Sequence, residues 1–446
     1  MRLEGYQIAG TVQQVLTVTA EEVARREGFG QRHGKLAGAR FAQTLVCGFL
    51  AHPEASLQDL AQVAAMVAEP VTPQAVDERF TPEAADYLEA LLAAVVAKAV
   101  QSSEATAVEV LRRFPSVSVQ DSTVIALPAI FEDRFRGCGG ATREAGRAAV
   151  KFQVRFDLVH GGIEGFRIEE GRDSDYRTAM QTEDLRPGSL HLRDLGYFDL
   201  DVLVTMDTQK AYFLSRLHDQ TAVIGEDGQR IDVASWLRGC GDRVVQRNVR
   251  LGCQHQLPVR FVALRVPRAV AERRRRQLRR HGQKKGYTPS AAKFALCDWN
   301  LYVTNVPAEM LSVEEVAALG RMRWQIELLF KQWKSEGRLA QSRSARPWRI
   351  LCEVFAKMTA MILQHWILLT ACWRYPNRSL RRATKAVRRL AGMLAASLHH
   401  LSDLVRILEL IDLSLQRTAR IDRRRKHPNA YDVIKNPSQY GYKLYA

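Results

Sequence analysis

The chain has 446 residues, 46% of them hydrophobic, enough to bury a large core and, at roughly 100–200 residues per domain, to build two to four domains. Lys and Arg number 65 against 48 Asp and Glu, a formal charge of +17, which points to a polyanionic partner, either nucleic acid or an anionic membrane surface. Seven scattered cysteines (Cys47, Cys138, Cys240, Cys253, Cys297, Cys352, Cys372), none in a C-x-x-C pair, argue against a disulfide framework or a zinc ribbon and fit a reducing cytosol.

Residues 1–110 read as a helical module. Ser56 with Asp59 opens one apolar-periodic run, and Thr72-Pro73 and Thr81-Pro82-Glu83 each set a cap before a proline at the first helical position. The pair Ser56–Ala68 and Thr72–Phe80, downstream of the basic residues Arg32, His33, Lys35 and Arg40, has helix-turn-helix proportions, and a plain helical cap with a solvated basic face reads as well. From Ser116 the period changes to 2. Val117, Val119 and Asp121 share a strand face, and Phe152, Val154, Phe156 and Leu158 alternate with Lys151, Gln153, Arg155 and Asp157. His160-Gly161-Gly162 marks a tight connection to a partner strand, Ile163 to Glu169. Leu190 and Leu192 lead to Asp194, a helical stretch Asp199–Met206 follows, and Tyr212–Leu217 reads as another strand.

Residues 218–311 interrupt this alternation with glycine turns, short strands such as Val259–Val266, and a basic segment Arg268–Lys285 carrying nine Lys/Arg and one Glu. They read as a β-rich insertion. Ser312 and Glu315 form a capping-box pair that opens one long helix to about Glu336, before Gly337. Residues 338–446 are helical, with basic clusters at Arg378–Arg389 and Arg417–Lys426. No leader is expected at the N-terminus. The longest apolar stretch, Ala356–Trp373, is interrupted by Lys357, Gln364 and His365, and the basic runs lack the apolar face of an interfacial helix, so no membrane partner is expected.

Three acids stand out. Asp121 lies on the apolar-facing side of its strand, where an unpaired carboxylate is costly and a cation would settle the cost. Asp194 ends a second strand, the edge where open α/β sheets place their sites. Singly, each also reads as a turn or cap residue. On the helix Val313–Glu336, Arg323, Glu327, Lys331 and Lys334 fall at i, i+4, i+8 and i+11 on one broad face, beside the stripe of Ile326, Leu329, Phe330 and Trp333. Glu327 could then bind a metal while Arg323 and Lys334 meet phosphate oxygens; ordinary i,i+4 pairing on an exposed helix is the bland alternative. Cys240, Cys253 and His255 have poor count and spacing for a soft-metal site.

The strings Asp121-Ser-Thr-Val, Asp194-Leu-Gly-Tyr-Phe and Arg323-Trp-Gln-Ile-Glu327, the last followed by Lys334, resemble the DDE transposases of bacterial insertion sequences, specifically the insertion-sequence-four family with its Y-x2-R-x3-E-x6-K signature. Gly320 stands where that family carries tyrosine. The resemblance implies an α/β fold: an RNase H-like catalytic core, a mixed sheet flanked by helices, with a β-rich insertion and helical terminal regions. The expected division is a DNA-binding 1–110, a core in 111–217 completed by 312–337, the insertion 218–311 and a basic 338–446.

By the same resemblance, Asp121, Asp194 and Glu327 hold two Mg²⁺ ions, with Mn²⁺ able to substitute. Three carboxylates supply hard oxygen ligands for ions about 4 Å apart that serve an in-line displacement. DNA-binding candidates are Arg323, Lys331, Lys334, Arg273, Arg274, Arg275 and Arg276. Trp299 resembles the tryptophan that stacks on a flipped base; packing at a strand start is its other reading, as packing is for Trp324. The expected enzyme is a cytoplasmic, nucleoid-associated cut-and-paste transposase. It would bind the terminal inverted repeats and target as double-stranded DNA, act as a homodimer, and pass through a hairpin. A catalytically silent DNA-binding descendant and a nuclease without strand transfer are the rivals.

Overall fold

The computed structural model describes residues 3–30, 34–139, 146–373, 375, 378–421 and 430–437. Arg32, His33 and most of the Arg417–Lys426 cluster lie outside these.

The N-terminal helices are α1 (Leu3–Gln14), α2 (Ala20–Arg26), α3 (Ala39–Ala51), α4 (Leu57–Val67), α5 (Pro73–Asp77) and α6 (Pro82–Val96). Ser56 and Asp59 close a reciprocal capping box, and the Thr72 and Thr81 hydroxyls accept from Ala75 N and Ala84 N, satisfying amides with no partner inside the helix. At five residues, α5 is shorter than the span Thr72–Phe80. There follow β1 (Val117–Leu127), β2 (Ala148–Asp157), β3 (Ile163–Glu170), β4 (Leu190–Arg193), α7 (Leu200–Thr208) and β5 (Tyr212–Arg216). The stretch read as an insertion supplies β6 (Val223–Ile224), β7 (Arg230–Ile231), α8 (Val233–Gly239), β8 (Val244–Leu251), β9 (Leu257–Arg265), α9 (Arg268–Lys285), α10 (Ala291–Leu296) and β10 (Trp299–Thr304). Next come α11 (Val313–Met322), α12 (Trp324–Ser335), α13 (Pro347–Leu368), α14 (Leu380–Ala396), α15 (Leu401–Thr418) and α16 (Ala430–Lys435). The Ser312/Glu315 capping box is present, but the single helix expected after it is two helices that part at Arg323.

The chain forms two compact units. The first comprises Met1–Ala107, Ser122–Asp173 and Ile326–Arg423. Its axis is α13, buried from Leu351 to Leu368 against α3 and α6, with α14 over α3 and α4. The segment Pro347–Trp373 is long and apolar enough to cross a membrane, yet 94% of its apolar window is buried inside the fold. It is a core helix, and its polar residues are answered there. Lys357 Nζ lies 3.3 Å from Glu353, which also meets Arg349 at 2.9 Å; burial pushes the Lys357 pKa down against the pull of that carboxylate. In this unit β3 pairs antiparallel with β2, and β2 lies next to β1. Strand β2 is buried on both faces, Lys151, Gln153, Arg155 and Asp157 included. The turn after it needs Gly161 at φ +73°, because a Cβ there would sit 2.6 Å from the Trp373 ring.

The second unit comprises Val108–Asp121, Ser174–Gln325 and Arg424–Ala446. Its strand order is β1-β4-β5-β10-β9-β8-β6-β7, so β1 is common to both units. Strands β1, β4 and β5 run parallel and the others join antiparallel, giving the mixed α/β sheet expected of an RNase H-like core. Strands β6 to β10 extend that sheet. One face, with Phe213, Val249, Val259, Phe261, Leu301 and Val303, forms the core with α7 and α8 residues such as Leu203 and Leu237. Period 2 then assigns Tyr302, Thr304, Val262 and Arg260 to the opposite face.

Candidate catalytic site

Asp121 and Asp194 occupy equivalent places on neighbouring parallel strands of the second unit. Val117 pairs with Leu190, Ser118 with His191 and Val119 with Leu192; each aspartate stands two residues beyond the last pair. With a side-chain period of 2, both carboxylates leave the face that carries Val119 and Leu192. The other face is marked by Ser118 Oγ, 2.7 Å from His191 Nδ1. Strand β4 stops at Arg193, and Asp194 is extended (φ −88°, ψ 164°) before a single 3₁₀ turn, Leu195–Tyr197. The acid therefore sits at the carboxyl end of a parallel strand, the edge where open α/β sheets place their sites.

A cation compensates it. Arg323 Nη1 lies 3.0 Å from Asp194 Oδ2, with the Arg323 side chain 15% exposed and that of Asp194 36%. Two arginines steady the helix that delivers Arg323. Arg113, just before β1, donates from Nη2 to Glu315 Oε1 at 2.7 Å and from Nη1 to Glu315 Oε2 at 2.9 Å. Arg260 Nη1 donates to Leu311 O at 2.8 Å. Glu315 thus closes the helix cap and ties α11 to the start of β1. Sequence inspection offered the cap alone, because the Arg113 contact spans 202 residues.

Glu327 lies on α12 in the first unit, half-buried, next to buried Ile326, Leu329, Phe330 and Trp333; Lys331 and Lys334 are exposed. The Trp324 side chain lies outside what the structure describes. Among the described residues no three His, Cys, Asp or Glu side chains are grouped to hold a metal ion. His255 is taken by Asp201, with Nε2 2.7 Å from Oδ1, so Cys240, Cys253 and His255 form no soft-metal site.

Gly320 has a local reason for its lack of a side chain. A Cβ at this position would lie 2.5 Å from Cε1, 2.8 Å from Cζ and 2.9 Å from the hydroxyl oxygen of Tyr302. A tyrosine from β10 fills the space in front of α11, one turn before Arg323.

The insertion's candidates divide. Trp299 is 4% exposed in the sheet core, and the Arg265 guanidinium lies over its ring at 4.7 Å. The packing reading describes it here, since base stacking needs an open ring face. Helix α9 spans the whole basic run, yet its four successive arginines differ. Arg274 Nη1 donates to Trp299 O at 3.0 Å and Nη2 to Asn300 Oδ1 at 2.6 Å, while Arg275 Nη2 meets Asp298 Oδ2 at 2.5 Å. Arg273 and Arg276 are exposed. The second basic run is also partly spent: Arg378 is buried on Asp412 at 2.9 Å, and Arg381 and Arg388 each meet Glu336 at 3.1 Å.

Residues 112–363 match the family described as Transposase DDE domain. The chain is 27% identical over 365 residues to the transposase of insertion sequence element IS231F from Bacillus thuringiensis, covering 77% of this chain and 76% of that protein. It is 24% identical over 377 residues to the IS1151 transposase of Clostridium perfringens, 78% of each chain. The putative transposase InsL of element IS186A from Escherichia coli is 25% identical over 230 residues, 49% of this chain and 60% of that one. With more than half its length in that match, the chain belongs to the DDE transposases of insertion sequence elements, enzymes that bind DNA, cleave it and transfer its strands with a divalent metal.

Proposed function

We propose that Asp121, Asp194 and Glu327 are the three catalytic acids of this transposase and that Arg323, Lys331 and Lys334 contact the phosphates of the DNA being cut. The observation that carries this reading is the register of Asp121 and Asp194 on adjacent parallel strands, with the Arg323 guanidinium on Asp194. Carboxylate oxygens are the hard donors that Mg²⁺ or Mn²⁺ prefers, so Asp121 and Asp194, with Glu327 as the third acid, fit a divalent ion pair. When bound, such ions lower the pKa of an attacking water or 3′-OH and stabilise the leaving oxygen.

The remaining roles belong to the chain itself. Arg323 presents a planar fork suited to a phosphate, a geometry a lysine ammonium lacks. In the first step a water oxygen bonds to phosphorus as the P–O3′ bond breaks, leaving a 5′-phosphate and a 3′-OH. That 3′-OH then attacks the phosphorus on the opposite strand, closing a hairpin on the element end as the flanking DNA leaves with its own 3′-OH; water hydrolyses the hairpin phosphodiester to restore the 3′-OH, which attacks a target phosphorus and displaces the target's 3′-oxygen. The terminal inverted repeats are the specific ligand, read by the N-terminal helices, with two copies of the chain holding two ends. Arg273 and Arg276 on the open side of α9 follow the backbone phosphates. A base-stacking role for Trp299 would require Arg265 to leave its ring. The insertion-sequence-four kinship and a bacterial cytoplasmic site of action accompany this reading.

The test is an assay of nicking, hairpin formation and joining on DNA bearing the inverted repeats that flank the gene. Asp121→Asn, Asp194→Asn and Glu327→Gln should each abolish nicking and leave end binding nearly intact. Binding without cleavage by the parent chain itself would instead mark a silent descendant, and cleavage without joining a nuclease.

A further inference from the structure

The sheet face that carries Asp121 and Asp194 continues into the β8–β9 ribbon. Val119 pairs with Leu192, Leu192 with Leu214, Leu214 with Thr304 and Thr304 with Arg260, all on one face. Beyond that row lies a cavity of about 530 Å³, lined by Gln246, Asn248, Arg250 and Arg260 of the strands and by the loop from Asn305 to Glu309. Its volume falls within the roughly 300–1,000 Å³ of small-ligand sites and exceeds what a bare phosphate requires.

Arg260 is the unusual element. The residue is 6% exposed; Nη1 donates to Leu311 O at 2.8 Å, and among the described residues Nε and Nη2 meet no acceptor. Burial lowers its pKa and the Glu309 charge opposes that, without a hydrogen bond between them. Buried donors are normally satisfied, and an orphaned pair calls for an explanation. The Nε/Nη2 edge is a fork that matches two oxygens of one phosphate. Gln246 and Asn248 are exposed beside it, and amides pair with the donor and acceptor pattern of base edges.

We propose that this cavity seats one nucleotide of a single DNA strand, its phosphodiester drawn to the Arg260 fork and its base edge met by Gln246 and Asn248. The proposal rests on DNA being the substrate and adds where a strand continuing past the acids is held. Glu309 and Glu226, both in the cavity lining, are the groups that oppose a phosphate there.

The probe is a fluorescein-labelled thymidine tetranucleotide added to the full chain at low salt, followed by anisotropy and by hydrogen–deuterium exchange. Saturation should slow exchange in residues 257–265 and 304–311. Asn248→Asp, at an exposed strand position, should weaken binding about tenfold and remove that protection. Glu309→Gln should tighten binding severalfold. Arg260→Lys, which keeps the charge and loses the fork, should bind at least about tenfold more weakly; if it does not fold, Asn248→Asp and Glu309→Gln carry the test. Asp121→Asn should bind the tetranucleotide like the parent, so a failed catalytic assignment is read separately from a failed cavity. Protection confined to other segments, or indifference to both Asn248→Asp and Glu309→Gln, would overturn the proposal. So would equal protection by inorganic phosphate alone, which would reduce the site to a phosphate cradle.

Discussion

Arg323 Nη1 lies 3.0 Å from Asp194 Oδ2, an ion pair between residues 129 positions apart that the helical spacing of Arg323 and Glu327 does not suggest. It makes the arginine both the counter-charge of one acid and a donor beside it. Arg323→Lys should keep the fold and metal affinity and lose the fork. Nicking should slow by roughly ten- to a hundredfold, corresponding to about 1.5–3 kcal/mol for a charge-assisted contact. Initial rates on matched ends at saturating Mg²⁺ measure this, and rates within threefold of the parent would refute the phosphate-contact role.

Gly320 and Tyr302 should be coupled. Because a Cβ at 320 meets the Tyr302 ring at 2.5 Å, Gly320→Ala should cost about 1–3 kcal/mol through overpacking. In a Tyr302→Ala background the same change should turn stabilising by roughly 0.5–1 kcal/mol, the ordinary helix gain of Ala over Gly. Urea denaturation of the four proteins tests the sign reversal, and an equal effect in both backgrounds would sink it.

The arginines of α9 should sort by geometry. Removing the exposed pair through Arg273→Ala with Arg276→Ala should reduce the slope of log affinity against log salt by about 1 for each phosphate no longer neutralised, on any DNA sequence. Arg274→Ala removes donors to Trp299 O and Asn300 Oδ1. Its main effect should be a stability loss of about 1–2 kcal/mol, with a smaller change in slope. Parallel salt titrations and melts separate the two groups; interchangeable effects would make α9 a uniform solvated helix.

His365 gives the first unit a defined acid sensitivity. It is buried, its Nε2–H donates to Gly161 O at 2.7 Å, and burial pushes its pKa below the ordinary 6.5. Below that value the unfolded chain binds a proton that the folded chain does not, so stability falls as pH drops through the unfolded pKa. Between about pH 7.5 and pH 5 the parent should lose more stability than His365→Gln. Urea midpoints at both ends of that window give the comparison, and equal losses would show that His365 does not set this sensitivity.

Unlike the short α5 and the break at Arg323, the helix caps and several element boundaries were legible in the chain because they depend on neighbours within a turn or two. The Ser56/Asp59 and Ser312/Glu315 boxes, the alternation along Ala148–Asp157 and the extent of Arg268–Lys285 are of this kind. Asp121, inside one apolar strand, and Asp194, just past the end of another, were legible as candidates too. Their shared face was not: it follows from the β1–β4 register, which joins segments 73 residues apart. Likewise no local signal shows that Arg323 pairs with Asp194, that Arg265 covers Trp299, or that Tyr302 lies against Gly320. Successive helical residues turn by about 100°, so four adjacent arginines meet different surroundings: Arg274 against β10, Arg275 on Asp298 just before it, and Arg273 and Arg276 facing solvent. Charge and periodicity are written locally, whereas the partner of each charge is set by which distant strand the pairing brings alongside.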